Sequence, residues 1–320
     1  MKVVSLFSGC GGTDLGFKLA GHEIVFANDF DAIACKTYSK NFPETKIVCE
    51  DIKKVTNFPK ADILVGCYPC QGFSLAGKRN PNDDRNMLYL DFARALRQVK
   101  PKFFVAENVK GMLTIAKSTI FKNMLKLFRQ CGYKVKYQLV NAKYYGLPQD
   151  RERVFIVGVR KDIDFNYQFP NYEFDNKNYN DLRVALNGLE EQNKPDICDA
   201  KFSYIYMSRD RKREWKKPSF TIQAGGQHAP IHPDSCDMIK VGKDKHRFKA
   251  GKSYRRLSYR ECARIQSFPD SFEFEGSLLS KYRQIGNAVP PLVAYKIALS
   301  LSQPQNKKEI TYEKLISSRL

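Results

Sequence analysis

Between Lys2 and Val159, short apolar runs rich in β-branched residues alternate with helical patterns, and no other feature restricts the possible folds as tightly. Strands are predicted at Lys2–Phe7, Glu23–Asn28, Lys46–Cys49, Asp62–Gly66 and Phe103–Glu107. Helices are predicted at Gly12–Ala20, Asp31–Phe42, Leu88–Val99 and Ile120–Cys131. Two further strands, Lys134–Val140 and Arg153–Val159, are near enough in sequence to pair antiparallel. Such alternation specifies an α/β fold with a mainly parallel, doubly wound sheet and helices on both faces.

The pattern breaks beyond residue 165. Asp164–Asn180 has no clear period and reads as a linker. Strand-like pieces at Ser203–Met207, Ser219–Gln223 and Asp237–Val241, separated by Gly, Pro and His, predict a smaller, irregular, mostly β domain. Tyr259–Gln266 is helical. Ile285-Gly286-Asn287-Ala288-Val289-Pro290 then precedes an apolar helix through Leu299, which is expected to pack back on the first domain. The expected division is residues 1–175 plus 284–320 in the large domain and 176–283 in the small one.

Open α/β sheets hold ligands at the carboxyl ends of their strands. Tyr68-Pro69-Cys70-Gln71-Gly72-Phe73 sits at such an end, so the Cys70 thiol opens a polar loop running to Asn86; an inert packing cysteine is the alternative. Phe7-Ser8-Gly9-Cys10-Gly11-Gly12 joins the first strand to the first helix, and Asp29 ends the second strand about 20 residues on. A glycine turn at a helix N-terminus with an acid at that spacing suits an adenosine-type cofactor, without choosing between a nicotinamide dinucleotide and S-adenosylmethionine. Glu107 ends the next strand and is expected at the same edge as Cys70, where a thiolate could attack a ring and a carboxyl group engage its nitrogen. In Gln149-Asp150-Arg151-Glu152-Arg153, alternation puts Gln149, Arg151 and Arg153 on one side of an extended chain.

Nine cysteines, an odd number, do not make a disulfide framework; Cys67 and Cys70 form a C-x-x-C pair, but no second pair or histidine cluster completes a metal site. No apolar run approaches the roughly 18 residues of a membrane span, and the N-terminus lacks a signal-peptide pattern, so a cytoplasmic protein without membrane attachment is expected. Charge is more telling. The net charge is +20, and residues 201–260 hold sixteen Lys and Arg against five acids. So one-sided a stretch suits a polyanion, which rewards a single sign by counterion release. Within it Arg209, Arg211, Gln223, Gln227 and His228 are side chains able to read guanine and adenine edges.

Six segments occur in order along the chain: Phe-Ser-Gly-x-Gly-Gly, Pro-Cys-Gln, Glu-Asn-Val, Gln-x-Arg-x-Arg, Arg-Glu-x-Ala-Arg-Ile-Gln-x-Phe-Pro and Gly-Asn-Ala-Val-Pro. Together they resemble the DNA (cytosine-5) methyltransferase family, in particular the small bacterial enzymes of restriction–modification systems. The resemblance implies a sheet of the S-adenosylmethionine-dependent methyltransferase type and a DNA-recognition domain. It implies a catalytic set of Cys70, Glu107, Arg151 and Arg153, with Cys70 adding to carbon 6 of a flipped cytosine. Phe7, Gly9, Gly11, Asp29, Phe30, Asp51, Ile52, Asn287 and Val289 would bind S-adenosylmethionine. Gln71, Ser74 and Arg85 on the closing loop, with Gln149, would join the recognition residues on double-stranded DNA. A GC-rich palindrome such as GGCC, a separately acting restriction endonuclease and a monomeric state complete the expectation. The alternative within the same family is a tRNA cytosine-5 methyltransferase. Tyr68 departs from the pattern, since relatives commonly carry Pro or Phe there after a Gly, which implies altered packing.

Overall fold

The computed structural model describes residues 1–69, 87–114, 119–189, 196–242, 245–249, 251, 253–302 and 310–318, apart from the side chains of Tyr204 and Ile205. The chain divides into two compact units. Unit 1 comprises Met1–Asn141, Glu152–Asn171 and Val293–Lys308; unit 2 comprises Ala142–Arg151, Tyr172–Leu292 and Glu309–Leu320.

Unit 1 is built on seven strands: β1 (Lys2–Leu6), β2 (Glu23–Asp29), β3 (Lys46–Cys49), β4 (Ile63–Gly66), β5 (Phe103–Val109), β6 (Tyr133–Asn141) and, after the two-residue β7 (Gln149–Asp150) of unit 2, β8 (Glu152–Arg160). Their order in the sheet is β3-β2-β1-β4-β5-β8-β6. The first five run parallel, and β8 lies antiparallel to both β5 and β6, as the short connection between the last two strands required. The crossovers are α1 (Gly12–Leu19), α2 (Ala32–Asn41), α3 (Tyr89–Val99) and α4 (Thr119–Gln130).

Local sequence explains these elements. Asp31 caps α2 by accepting hydrogen bonds from the Ile33 and Ala34 amides. In α4, Phe121, Met124, Leu125 and Phe128 recur at helical spacing, so one face is apolar; α3 presents Phe92, Ala93, Leu96 and Val99 in the same way. Phe92, Phe104 and Phe128 meet edge to face, with centroids 5.1–5.8 Å apart, at the centre of the core that covers one sheet surface.

Unit 2 contains little regular pairing among its described residues. β7 pairs in parallel with β9 (Ser219–Phe220), and β10 (Met238–Gly242) pairs with β11 (Lys245–Phe248). Around them lie α5 (Leu182–Leu186), α6 (Tyr204–Met207), α7 (Tyr259–Ile265), α8 (Leu278–Asn287) and α10 (Tyr312–Ile316); α9 (Pro291–Leu299) leads back into unit 1. The segment expected as a strand at Ser203–Met207 is instead the helix α6, whose Tyr206 amide bonds the Ser203 hydroxyl. Caps compensate for short helices: Ser258 and Glu261 form a capping box on α7, Ser277 caps α8 and Thr311 caps α10. Arg256 lies over the Phe202 ring at 3.7 Å, beside Tyr206, in a small core with Ile231 and Phe248.

Beneath the turn after β1, Asp14 is fully buried and accepts hydrogen bonds from the Ser5 hydroxyl and the Tyr38 hydroxyl, both at 2.6 Å. Burial outweighs those bonds and pushes its carboxyl up to about 6. A raised acid contributes stability below its unfolded value, and that contribution is lost as pH rises through about 6. Asp14→Asn is therefore expected to gain on the native chain by roughly 1–2 kcal/mol between pH 5 and pH 7.5, read by urea unfolding at both pH values. Parallel stability curves for the two proteins would contradict this.

Candidate active site

Sheet register alone assembles one row of side chains in unit 1. Leu6 on β1 pairs with Asn28 on β2 and Gly66 on β4, and Gly66 pairs with Ala106 on β5. The next residues along these strands are Phe7, Asp29, Cys67 and Glu107, at the carboxyl edge where the strand order reverses between β1 and β4.

Phe7 has φ 56°, a left-handed conformation that costs a bulky residue roughly 1–3 kcal/mol. Its ring meets Tyr68 edge on at 6.1 Å. Gly9 and Gly11 share the positive-φ requirement; a Cβ at Gly9 would meet nothing within 4 Å, whereas one at Gly11 would strike the Phe42 ring at 2.4 Å, so the turn is open at Gly9 and packed at Gly11. The Asp29 carboxylate accepts from the Gly9 amide at 2.8 Å and the Asp31 amide at 2.9 Å, while burial raises its pKa. Asn28, buried, donates to the Val48 and Glu50 carbonyls and so holds the end of β3 beside Asp29. Phe30 is 71% exposed, an unusual state for a large apolar ring. Asp51 is exposed and accepts from the Lys53 amide, whereas Ile52 is buried with its carbonyl on Arg94. An acid, an exposed ring and an open glycine turn suit an adenosine-type ligand.

Glu107 and Arg153 are brought together by the sheet pleat. Glu107 pairs with Phe155 and Val109 with Arg153, so the two are diagonal neighbours on one face. The Arg153 Nε lies 3.1 Å from Glu107 Oε1, with both side chains largely buried; burial lowers the Arg153 pKa and the Glu107 charge opposes that shift. Asn108 is buried on the opposite face and donates to the Tyr68 carbonyl at 3.1 Å, fixing the chain just before Pro69 and Cys70. Cys67 packs its sulfur 3.4 Å from the Thr13 hydroxyl, and burial together with the Glu107 charge pushes the thiol pKa up. Sequence reasoning gave Asn108 no role, although it sits inside the Glu-Asn-Val segment, and weighed Cys67 only as half of the C-x-x-C pair. Tyr68, the departure from the family pattern, is buried between Phe7 and Phe92 and donates its hydroxyl to Met124 Sδ. Cys70, Gln71, Ser74 and Arg85 lie outside the described residues.

The remaining sites belong to unit 2. Asn287 is exposed at the end of α8, and Val289 is buried just beyond it. Gln227 and His228 are exposed on a 3-10 turn, and Gln223 is half-buried at its approach. Burial and the charges of Arg211, Arg209 and Arg256 push the His228 pKa down, leaving a neutral ring that can both donate and accept. Arg209 is exposed beside Asp210, whose φ of 35° turns the chain sharply. Three of the candidate residues are enclosed by the protein itself. Arg211 is buried, with one nitrogen donating to the Thr221 carbonyl at 2.8 Å. Gln149, expected on DNA, is wholly enclosed; its amide bonds the Ile222 amide, Gln266 Oε1 and the Ile265 carbonyl. Arg151, expected in the catalytic set, is 2% exposed and donates to the Ile222, Gly286 and Ala288 carbonyls at 2.9–3.0 Å. Alternation correctly placed these two on one side of the strand but could not say which groups that side would meet. Among the described residues, no cluster of His, Cys, Asp or Glu could hold a metal ion, and no helix is long and apolar enough to cross a membrane.

Similarity to known proteins extends over most of the chain. The family model for C-5 cytosine-specific DNA methylases matches residues 1–303. M.BspRI of Lysinibacillus sphaericus, a Type II methyltransferase, is 44% identical over 94% of this chain and 81% of its own. M.FnuDI of Fusobacterium nucleatum, also a Type II methyltransferase, is 43% identical over 97% of this chain and 96% of its own. Among solved structures, one described as a DNA modification methyltransferase encoded within an E. coli prophage superposes with a TM-score of 0.73 at 25% identity, covering 94% of this chain and 98% of that one. With its family match extending over nearly the whole sequence and such relatives along most of their own length, the chain belongs to the C-5 cytosine-specific DNA methylases.

Proposed function

We infer that this protein transfers a methyl group from S-adenosylmethionine to carbon 5 of a specific cytosine in duplex DNA, as the modification enzyme of a restriction–modification system. The observation that carries the reading is the buried Glu107–Arg153 pair, 3.1 Å apart, at the same sheet edge as the open glycine turn. When bound, S-adenosylmethionine supplies an electrophilic methyl group. Gly9 lets it approach the backbone, Asp29 and Asp51 offer acceptors for its hydroxyls, and Phe7 and the exposed Phe30 supply apolar surface.

Carbon 5 of cytosine is too weak a nucleophile to take a methyl group unaided. Addition of the Cys70 thiolate at carbon 6 makes carbon 5 enamine-like, with Glu107 bonding ring nitrogen 3 and the amino group and Arg153 bonding the exocyclic oxygen. After methyl transfer, loss of the proton at carbon 5 and elimination across the ring release Cys70. A thiol suits both steps, being more nucleophilic than a hydroxyl near neutral pH and a better leaving group. The base must leave the stacked duplex first, at a cost of a few kcal/mol. Gln71, Ser74 and Arg85 are assigned to DNA contacts around it. Arg209, Gln223, Gln227 and His228 read the surrounding bases within the basic stretch.

The relatives' description as Type II methyltransferases supports DNA over tRNA as substrate, and transfer of labelled methyl groups to tRNA alone would reverse that choice. Covalent capture on duplexes containing 5-fluorocytosine is expected for the native chain and lost in Cys70→Ala, read by denaturing gel; capture by the variant would remove Cys70 from the mechanism. Arg209→Ala is expected to weaken discrimination between sites by roughly 1–3 kcal/mol if it reads a guanine. An equal loss on every sequence would reassign it to phosphate.

A further inference from the structure

The turn that carries Gln227 and His228 is held at both ends by buried side chains. At its entrance, Ile222 has both backbone polar groups taken: its amide donates to Gln149 Oε1 at 2.9 Å and its carbonyl accepts from Arg151 Nη1 at 3.0 Å. Residues two apart on an extended chain face the same way, which is how Gln149 and Arg151 reach one residue together. The β7–β9 pairing and the Thr221 hydroxyl on the Asp150 carbonyl, at 2.6 Å, fix the register that delivers Ile222 to them. Arg151 Nη2 also binds the Gly286 and Ala288 carbonyls, where the end of α8 favours a cation. Any side chain at Gly286 would overlap the backbone of Gln223 and Ala224, so α8 and the turn touch directly. At the exit, Arg256 is 2% exposed and donates to the Gln227 carbonyl at 3.3 Å and to the Cys198 and Ala200 carbonyls at 3.2 and 2.7 Å.

We propose that Gln149, Arg151 and Arg256 are positioning residues for sequence discrimination: they clamp both ends of the turn Gln223–His228 and touch no DNA themselves. Base-edge hydrogen bonds discriminate only when donors and acceptors are held to a few tenths of an ångström, which a turn containing Gly225 and Gly226 cannot do unaided. Buried amide and guanidinium groups with several fixed acceptors supply that rigidity. The proposal rests on the duplex-DNA reading above.

The test uses the full chain and its own site, located by bisulfite sequencing of DNA from cells expressing it. Gln149→Glu, Arg151→Lys and Arg256→Lys keep size or charge while removing individual bonds. Methyl transfer is measured on duplexes with the site intact and with each base pair changed singly, together with thermal unfolding and the salt dependence of DNA binding. In each variant that unfolds cooperatively, the ratio of kcat/KM for intact over altered sites should fall about tenfold at several positions. The slope of log Kd against log salt should stay unchanged, because no phosphate contact is lost. Intact discrimination in the folded variants overturns the proposal, as does a slope reduced by about one, which would place the residue on phosphate. Loss confined to a single base pair also overturns it, by making the residue a direct reader. Arg256→Lys acts on the far end of the turn and keeps the test decisive if Arg151→Lys does not fold. A native chain that methylates no duplex would overturn the functional reading instead.

Discussion

The pairing of Gly66 with both Leu6 and Ala106 is the constraint on which unit 1 depends. β4 is only four residues long and wholly buried, so it cannot slip without moving apolar side chains out of the core. Its register brings Leu6, Gly66 and Ala106 level, and the β1–β2 pairing adds Asn28, next to Asp29, to the same row. Phe7, Asp29, Cys67 and Glu107 thus stand along one edge of the sheet. The carboxylate of Glu107 gains Arg153 at no further structural expense, since the antiparallel β8 supplies a diagonal neighbour on the same face.

Unit 2 is specified differently. Two-residue and four- or five-residue strands and short helices cannot define a unique chain path by backbone pairing alone. Buried polar side chains act instead. Gln149, Arg151, Gln266 and Arg256 bond backbone groups of segments far apart in sequence; Gln266 Nε2, for example, reaches the Ile285 carbonyl at 2.7 Å. Burying such groups unsatisfied would cost several kcal/mol, so alternative paths that leave their bonds unmade are disfavoured. Three of the sequence segments that looked independent, Gln-x-Arg-x-Arg, the stretch ending Gln-x-Phe-Pro and Gly-Asn-Ala-Val-Pro, are one hydrogen-bonded cluster in space.

Left-handed backbone at non-glycine residues occurs at Phe7, Lys100, Asp210 and Ser267, two of which adjoin candidate site residues. Phe7 adopts a left-handed conformation at the glycine turn, and Asp210 does so beside Arg209. Aspartate tolerates such geometry far better than phenylalanine, so Phe7 persists only because β1, Tyr68 and the Asp29–Gly9 bond determine its place. The buried Asp14 below the turn, bonded to Ser5 and Tyr38, supports the same few residues from inside.

Period and punctuation by themselves determined the alternating strands and helices of the first 160 residues, because hydrophobic spacing is a local property that core burial enforces. Residue chemistry singled out Asp29 and Glu107, which the fold places along one sheet edge, although β5 continues past Glu107 to Val109. Tertiary structure decided which polar residues face inward. Gln149, Arg151 and Arg211 share composition and local pattern with surface readers of nucleic acid, yet they are enclosed, while Arg209, Gln227 and His228 are exposed. For Gln149 and Arg151 that difference arises from segments more than 70 residues away, Ile222 on Gln149 and Gly286 on Arg151, whereas Arg211 is held by the Thr221 carbonyl nearby in sequence. No local signal carries it, since a hydrogen-bond donor looks the same in sequence whether its acceptor will be a carbonyl of the protein or the edge of a base.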